Sequence, residues 1–84
     1  MFNFHAVYLK EYKMAGWICK VWSIEAEDQV RYFACSEPEP RNAIIEVYKY
    51  LEATPDIRIT AIKENAGELP SGVTVLEMSA GEFE

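Results

Sequence analysis

No stretch of this chain approaches the roughly 18 to 20 uninterrupted apolar residues that cross a bilayer, so no membrane contact is expected. The start, Met1-Phe2-Asn3-Phe4-His5, lacks the basic residues and long apolar run of a secretion signal. The expected location is the cytoplasm. Cysteine is scarce too: Cys19 and Cys35 are too few for a disulfide framework, and in a reducing compartment both are expected as free thiols. They show no C-x-x-C spacing, and a zinc site would need two further ligands. Histidine occurs once, at His5, and Ser23, Ser36, Ser71 and Ser79 show no G-x-S-x-G elbow to build a triad around it. Gly16, Gly67, Gly72 and Gly81 are isolated, which excludes a glycine-rich phosphate loop or dinucleotide turn. No metal, cofactor or catalytic residue is expected, and the chain is not expected to be an enzyme.

Positive charge is also short, with eight basic residues against fourteen acidic ones and a net charge of −6. Residues 1–31 balance four basic against four acidic residues, so the whole excess lies in residues 32–84. Direct binding of nucleic acid needs a basic stripe that displaces counterions from phosphates. The sequence offers none, and no direct nucleic-acid binding is expected.

What the chain does have is apolar and aromatic content, 50% and 13% of its 84 residues. That suffices for one hydrophobic core and argues against disorder. One domain is expected over residues 1–78, followed by a flexible acidic tail over 79–84. Residues 2–12 read as a first strand, rich in aromatic and β-branched residues, with Met14-Ala15-Gly16 as a turn. Residues 17–25 and 29–36 read as a second and third strand. Trp17, Cys19 and Val21 share one face of the second; Ile18, Lys20, Trp22 and Ile24 share the other. An odd loop centred on Glu27 would set Ile24 against Val30, Trp22 against Tyr32, Val21 against Phe33 and Cys19 against Cys35.

Ser36-Glu37-Pro38-Glu39 has the form of a helix start, with a capping serine and prolines suited to a first turn. Ile44, Val47, Tyr48 and Leu51 then recur at the spacing of one buried face, and Pro55 sets the stop near Ala53. Residues 57–63 and 73–78 complete the set as strands four and five. The order βββαββ predicts an α+β fold: a mainly antiparallel sheet of about five strands, with one helix packed on one face. These strands followed by Glu39-Pro40-Arg41-Asn42-Ala43-Ile44-Ile45-Glu46 superficially resemble antitoxins of the HicB type over about half the chain. That family's proline- and glycine-rich stretch between strand and helix is missing, and the likeness does not amount to membership.

One helix cannot cover both faces of a sheet whose two faces are both aromatic. Tyr8, Trp17, Trp22, Tyr32 and Phe33 are therefore the candidate interface, because an apolar patch left open needs a partner. The first expectation is a non-catalytic protein-interaction module that self-associates, as a homodimer, through an exposed sheet face. The second is a small acidic inhibitor from a phage or mobile element, whose carboxylates imitate nucleic acid and block a basic groove of an enzyme or defence complex. The third is a small-molecule binder with an aromatic-lined cleft between sheet and helix. Cys19 and Cys35 are expected to fill space between strands, with a cross-strand pair that oxidises under stress as the sharper alternative.

Overall fold

A computed structural model describes residues 16–65 and 67–79. The expected first strand over 2–12, the turn residues Met14 and Ala15, His5, Tyr8 and most of the acidic tail lie outside the described residues. The fold is α+β, with the chain order β1 (Gly16–Ser23), β2 (Ala26–Cys35), α1 (Pro40–Leu51), β3 (Ile57–Asn65) and β4 (Val75–Met78). Among the described residues the sheet has four strands rather than about five, in the order β3-β1-β2-β4. Every pairing is antiparallel.

The expected hairpin is present, but its register and turn are corrected. Cys19 pairs with Phe33 and Trp17 with Cys35, two residues away from the expected set. A shift of two leaves the paired residues 17–21 of β1 on their expected faces, because strand side chains repeat with period two. The turn is Ile24-Glu25, not an odd loop around Glu27, and β2 already begins at Ala26. Ser23 pairs with Ala26 across this tight turn. The slack is taken up by a break in register between Val21 and Ser23, opposite residues 27–30 of β2. The Ser23 hydroxyl accepts the Glu25 amide at 3.1 Å and helps fix the turn.

The helix also departs from expectation at its start and on its flank. Pro40 holds the first position, where a missing N–H costs nothing, and Glu39 precedes it without a side-chain cap. Ser36 is not the cap; its amide donates to Thr74 O at 3.0 Å and ties the loop to the approach of β4. The buried centre of the helix is Ala43 and Val47, with Ile44 and Leu51 packed beside them. Tyr48, expected inside, is exposed. Ala43 sits about 140° from Tyr48 around the helix axis, and its small side chain lets that face of the helix approach the sheet. After Leu51 the chain turns through Glu52 in the left-handed region at φ 51°, five residues before the start of β3.

The core lies between α1 and one face of the sheet. It joins Cys19, Val21, Phe33, Cys35 and Val75 to Ala43 and Val47. Phe33 is the largest side chain fully removed from water, worth about 2–3 kcal/mol of apolar transfer. Trp17, Ile57, Ile59 and Ala61 close the margins of this core. Among the described residues no helix is long and apolar enough to cross a membrane.

Candidate functional site

The helix settles which aromatics are structural. Phe33 is buried beneath it, packed edge-on against Tyr50 with ring centroids 6.1 Å apart. Trp17 packs against the same core and its indole N–H donates to Pro38 O at 2.9 Å, pinning the loop that leads into α1. Trp22 and Tyr32 alternate onto the opposite face, away from α1. Of the five candidate interface residues the structure therefore separates Trp17 and Phe33 from Trp22 and Tyr32, and Tyr8 lies outside the described residues.

The strand registers lay out this second face row by row. One row runs Lys63, Ile18, Ala34, Leu76, and the next runs Thr60, Lys20, Tyr32, Met78. Trp22 pairs with Arg58 in the row nearest the hairpin turn. Ile18 and Ala34, in the inner strands, are buried at 5% and 3% exposure, whereas Leu76 at the margin is 43% exposed. Ile62 is the extra residue of a bulge in β3 between the partners of Ile18 and Cys19, and it too is exposed. The Lys20 ammonium stands 5.4 Å from the centre of the Trp22 ring, within cation–π range.

The paired rows of that face carry charge of one sign, which the sequence reading did not identify. Lys20, Arg58 and Lys63 stand in its paired rows and no aspartate or glutamate does. Within the unpaired stretch 27–30, alternation counted back from Tyr32 brings Asp28 to the same side, and alternation counted on from Ala26 brings Glu27. Alternation places Lys20 and Arg58 with Trp22 once the helix-covered face is known, whereas Lys63 joins them only because the bulge at Ile62 shifts its face.

The remaining polar clusters have structural duties. Arg31 and Glu77 form a two-pronged pair across β2 and β4, at 2.9 and 2.8 Å, and the Arg31 guanidinium lies 5.1 Å over the Phe33 ring. The Arg31 hydrogen bond holds the Glu77 carboxyl below its usual range. Asp56 accepts the hydroxyls of Thr54 and Ser23, the latter at 2.8 Å. These two bonds, Thr54 first, lower its pKa, and its carbonyl accepts the Ile24 amide at 3.0 Å. The cluster binds the hairpin turn to the start of β3.

A depression of about 360 Å³ opens beside this cluster, between the sheet and the end of α1, lined by Val21, Trp22, Gln29, Arg31, Leu51 and Thr54 among others. Its size suits a small ligand. Arg31 is already committed to Glu77 and the adjoining Ser23 to Asp56, so two of its polar groups serve the fold.

Cys19 and Cys35 are both buried free thiols. Burial, with Cys35 close by, pushes the Cys19 thiol up to about 11, and burial likewise raises Cys35. A thiol so far from ionisation at neutral pH is a poor nucleophile. The two are diagonal neighbours across β1 and β2 rather than directly opposed. Diagonal positions lie about 7–8 Å apart at Cα, beyond the reach of a disulfide without backbone movement. Among the described residues no group of three or more His, Cys, Asp or Glu is arranged to hold a metal ion. Comparison of the chain with protein-family models, with curated proteins and with solved structures finds no significant match.

Proposed function

We propose that this chain is a non-catalytic protein-interaction module whose contact surface is the sheet face opposite α1. One observation carries the reading: the helix covers the Phe33 side, so Trp22, Tyr32, Leu76 and Met78 are displayed on the side that no described helix packs against. Aromatic residues set among aliphatic neighbours and a few cations match the make-up of an interface centre. Self-association through this face and capture of another protein are both forms of the reading. The suppressed acidity of the Cys19 thiol supports binding over nucleophilic chemistry.

The acidic-inhibitor reading draws support from the opposite side. Glu39 and Glu52 flank α1 and are exposed, and Glu46 lies along it. A basic partner would meet these rather than the Trp22 face. One experiment separates the two. A photo-crosslinking residue placed at Leu76, on the open face, is compared with one at Ile45, exposed on the helix. Capture of a protein or of a second copy from Leu76 alone is the expected result. Capture from Ile45 alone, lost at high salt, rejects the open face and favours the acidic surface.

A further inference from the structure

Burial on the sheet face opposite α1 is uneven along β1. Ile18 is 5% exposed and its partner Ala34 3%, yet neither belongs to the core beneath the helix. Their described neighbours in the paired rows do not account for this. Gly16, two residues before Ile18, has no side chain, Ala34 offers one methyl group, and Lys63 and Leu76 at the ends of the row are themselves exposed. Towards the hairpin turn the same face opens, with Lys20 and Trp22 only half-buried. Water is therefore kept from the Gly16 end of a face against which no described helix packs.

The topology selects the part of the chain that lies nearest. β1 is an inner strand whose two edges are taken by β2 and β3, so it has no free edge for the residues before Gly16 to pair with. One face is already held by α1, and the other begins with Ile18, two residues from where residues 1–15 join. That segment includes Phe2, Phe4, Val7, Tyr8 and Leu9, apolar surface that gains by leaving water. Four strands about 4.8 Å apart span about 15 Å, within the reach of such a segment. The other end of the chain is worse placed: β4 leads away from the Ile18 row to Met78 in the Tyr32 row, and residues 80–84 bring only Phe83 among acidic neighbours. In the β3–β4 connection Gly67, Glu68, Pro70 and Ser71 are exposed, and residues 72–74 stand beside Glu46, Lys49 and Tyr50 of the helix. We propose that residues 1–15 lie against the Gly16 end of this face and seal Ile18 and Ala34, leaving the Trp22 end to a partner. This goes beyond the reading of the face as a contact surface, because it divides that face between the chain itself and what it binds.

The test joins two measurements on the purified full chain. A photo-crosslinking residue at Leu76 should join residues 1–15 of the same chain, in a yield unchanged over about a hundredfold range of protein concentration. Nuclear magnetic resonance with a soluble nitroxide reads the access of solvent to the Ile18 methyl groups. These should be protected in the wild type and lose protection in a Phe2→Ser, Phe4→Ser, Tyr8→Ser variant. Val47, buried beneath α1, should stay protected and show that the fold persists. Leu69→Ser, at the half-buried leucine of the β3–β4 connection, should leave Ile18 protected. Protection lost in Leu69→Ser but kept in the triple variant assigns the cover to that connection and overturns the proposal. Crosslinks to residues 79–84 overturn it in favour of the tail. Crosslinks between chains, rising with concentration, overturn it in favour of a second copy, and an Ile18 open to the nitroxide in the wild type overturns it outright. Should the triple variant unfold, the wild-type crosslinks decide. Capture of a partner is a separate readout, so either idea can fail while the other stands.

Discussion

Gly16 opens β1 at a point where the sheet allows no side chain. A Cβ there would stand 2.2 Å from the Cys35 carbonyl oxygen and 3.2 Å from the Cys35 carbonyl carbon and the Ser36 Cα. All three are backbone atoms of β2 and the loop that follows, so no rotamer change relieves the clash. Gly16→Ala should destabilise the fold by about 2–3 kcal/mol, read as a lowered urea midpoint with little change in slope. Cys19 and Cys35 are constrained differently, by the absence of water rather than of space. At neutral pH the native protein should react with a disulfide reagent only as fast as it opens. Both thiols should be released together in denaturant, and rapid modification of either in the native state would contradict their burial.

At the scale of elements, the helix exit is held by an unfavourable residue. Glu52 adopts φ 51° and ψ 50°, and its amide donates to Lys49 O while the Ala53 amide donates to Tyr48 O. This left-handed position favours glycine, which has no Cβ to crowd the following carbonyl. Glu52→Gly should therefore stabilise the protein by about 0.5–1 kcal/mol, measured by thermal or urea unfolding; a loss of stability would show that the side chain contributes more than its strain. Alternation and helical period made the elements themselves legible, and they divided Trp17 from Trp22 and Phe33 from Tyr32. Register was harder to read. Moving the β1–β2 pairing by two residues exchanges one set of apolar partners for another on the same faces, so pattern alone cannot choose between them. The choice lies in the Ile24-Glu25 turn, which carries no Asn-Gly or Asp-Gly signal, and in breaks opposite residues 27–30 and at Ile62. Apolar periodicity ranks Tyr48 above the smaller Ala43, whereas close approach of helix to sheet favours the smaller residue. The cationic character of the open face was hidden by the overall acidity, an average over two dissimilar sides.

For the whole molecule, stability should fall at both ends of the pH scale for separate reasons. Glu77 is held below its ordinary value of 4.5 by Arg31, and Asp56 below 3.8 by Thr54 and Ser23. A depressed carboxyl contributes stability that is present above its unfolded pKa and lost as pH falls through the folded value. Acid should therefore weaken the fold below about pH 4.5. The Glu77 share is small, under about 1 kcal/mol, because both partners of its ion pair are about half exposed. The alkaline side is steeper. Cys19 rises from 9.0 to about 11 on folding, and a raised group gives stability that is full below its unfolded pKa and disappears as pH climbs through the folded one. Between pH 9 and about 11 the unfolded chain sheds the thiol proton that the folded chain keeps, at a cost of up to about 2 kcal/mol. Urea unfolding across that interval should show a falling midpoint in the wild type and a shallower fall in Cys19→Ala, the residual slope coming from Cys35, whose pKa burial also raises. An unchanged slope in Cys19→Ala would mean that the thiol meets water in the folded state, and would remove it from the core that sets the helix on that side of the sheet.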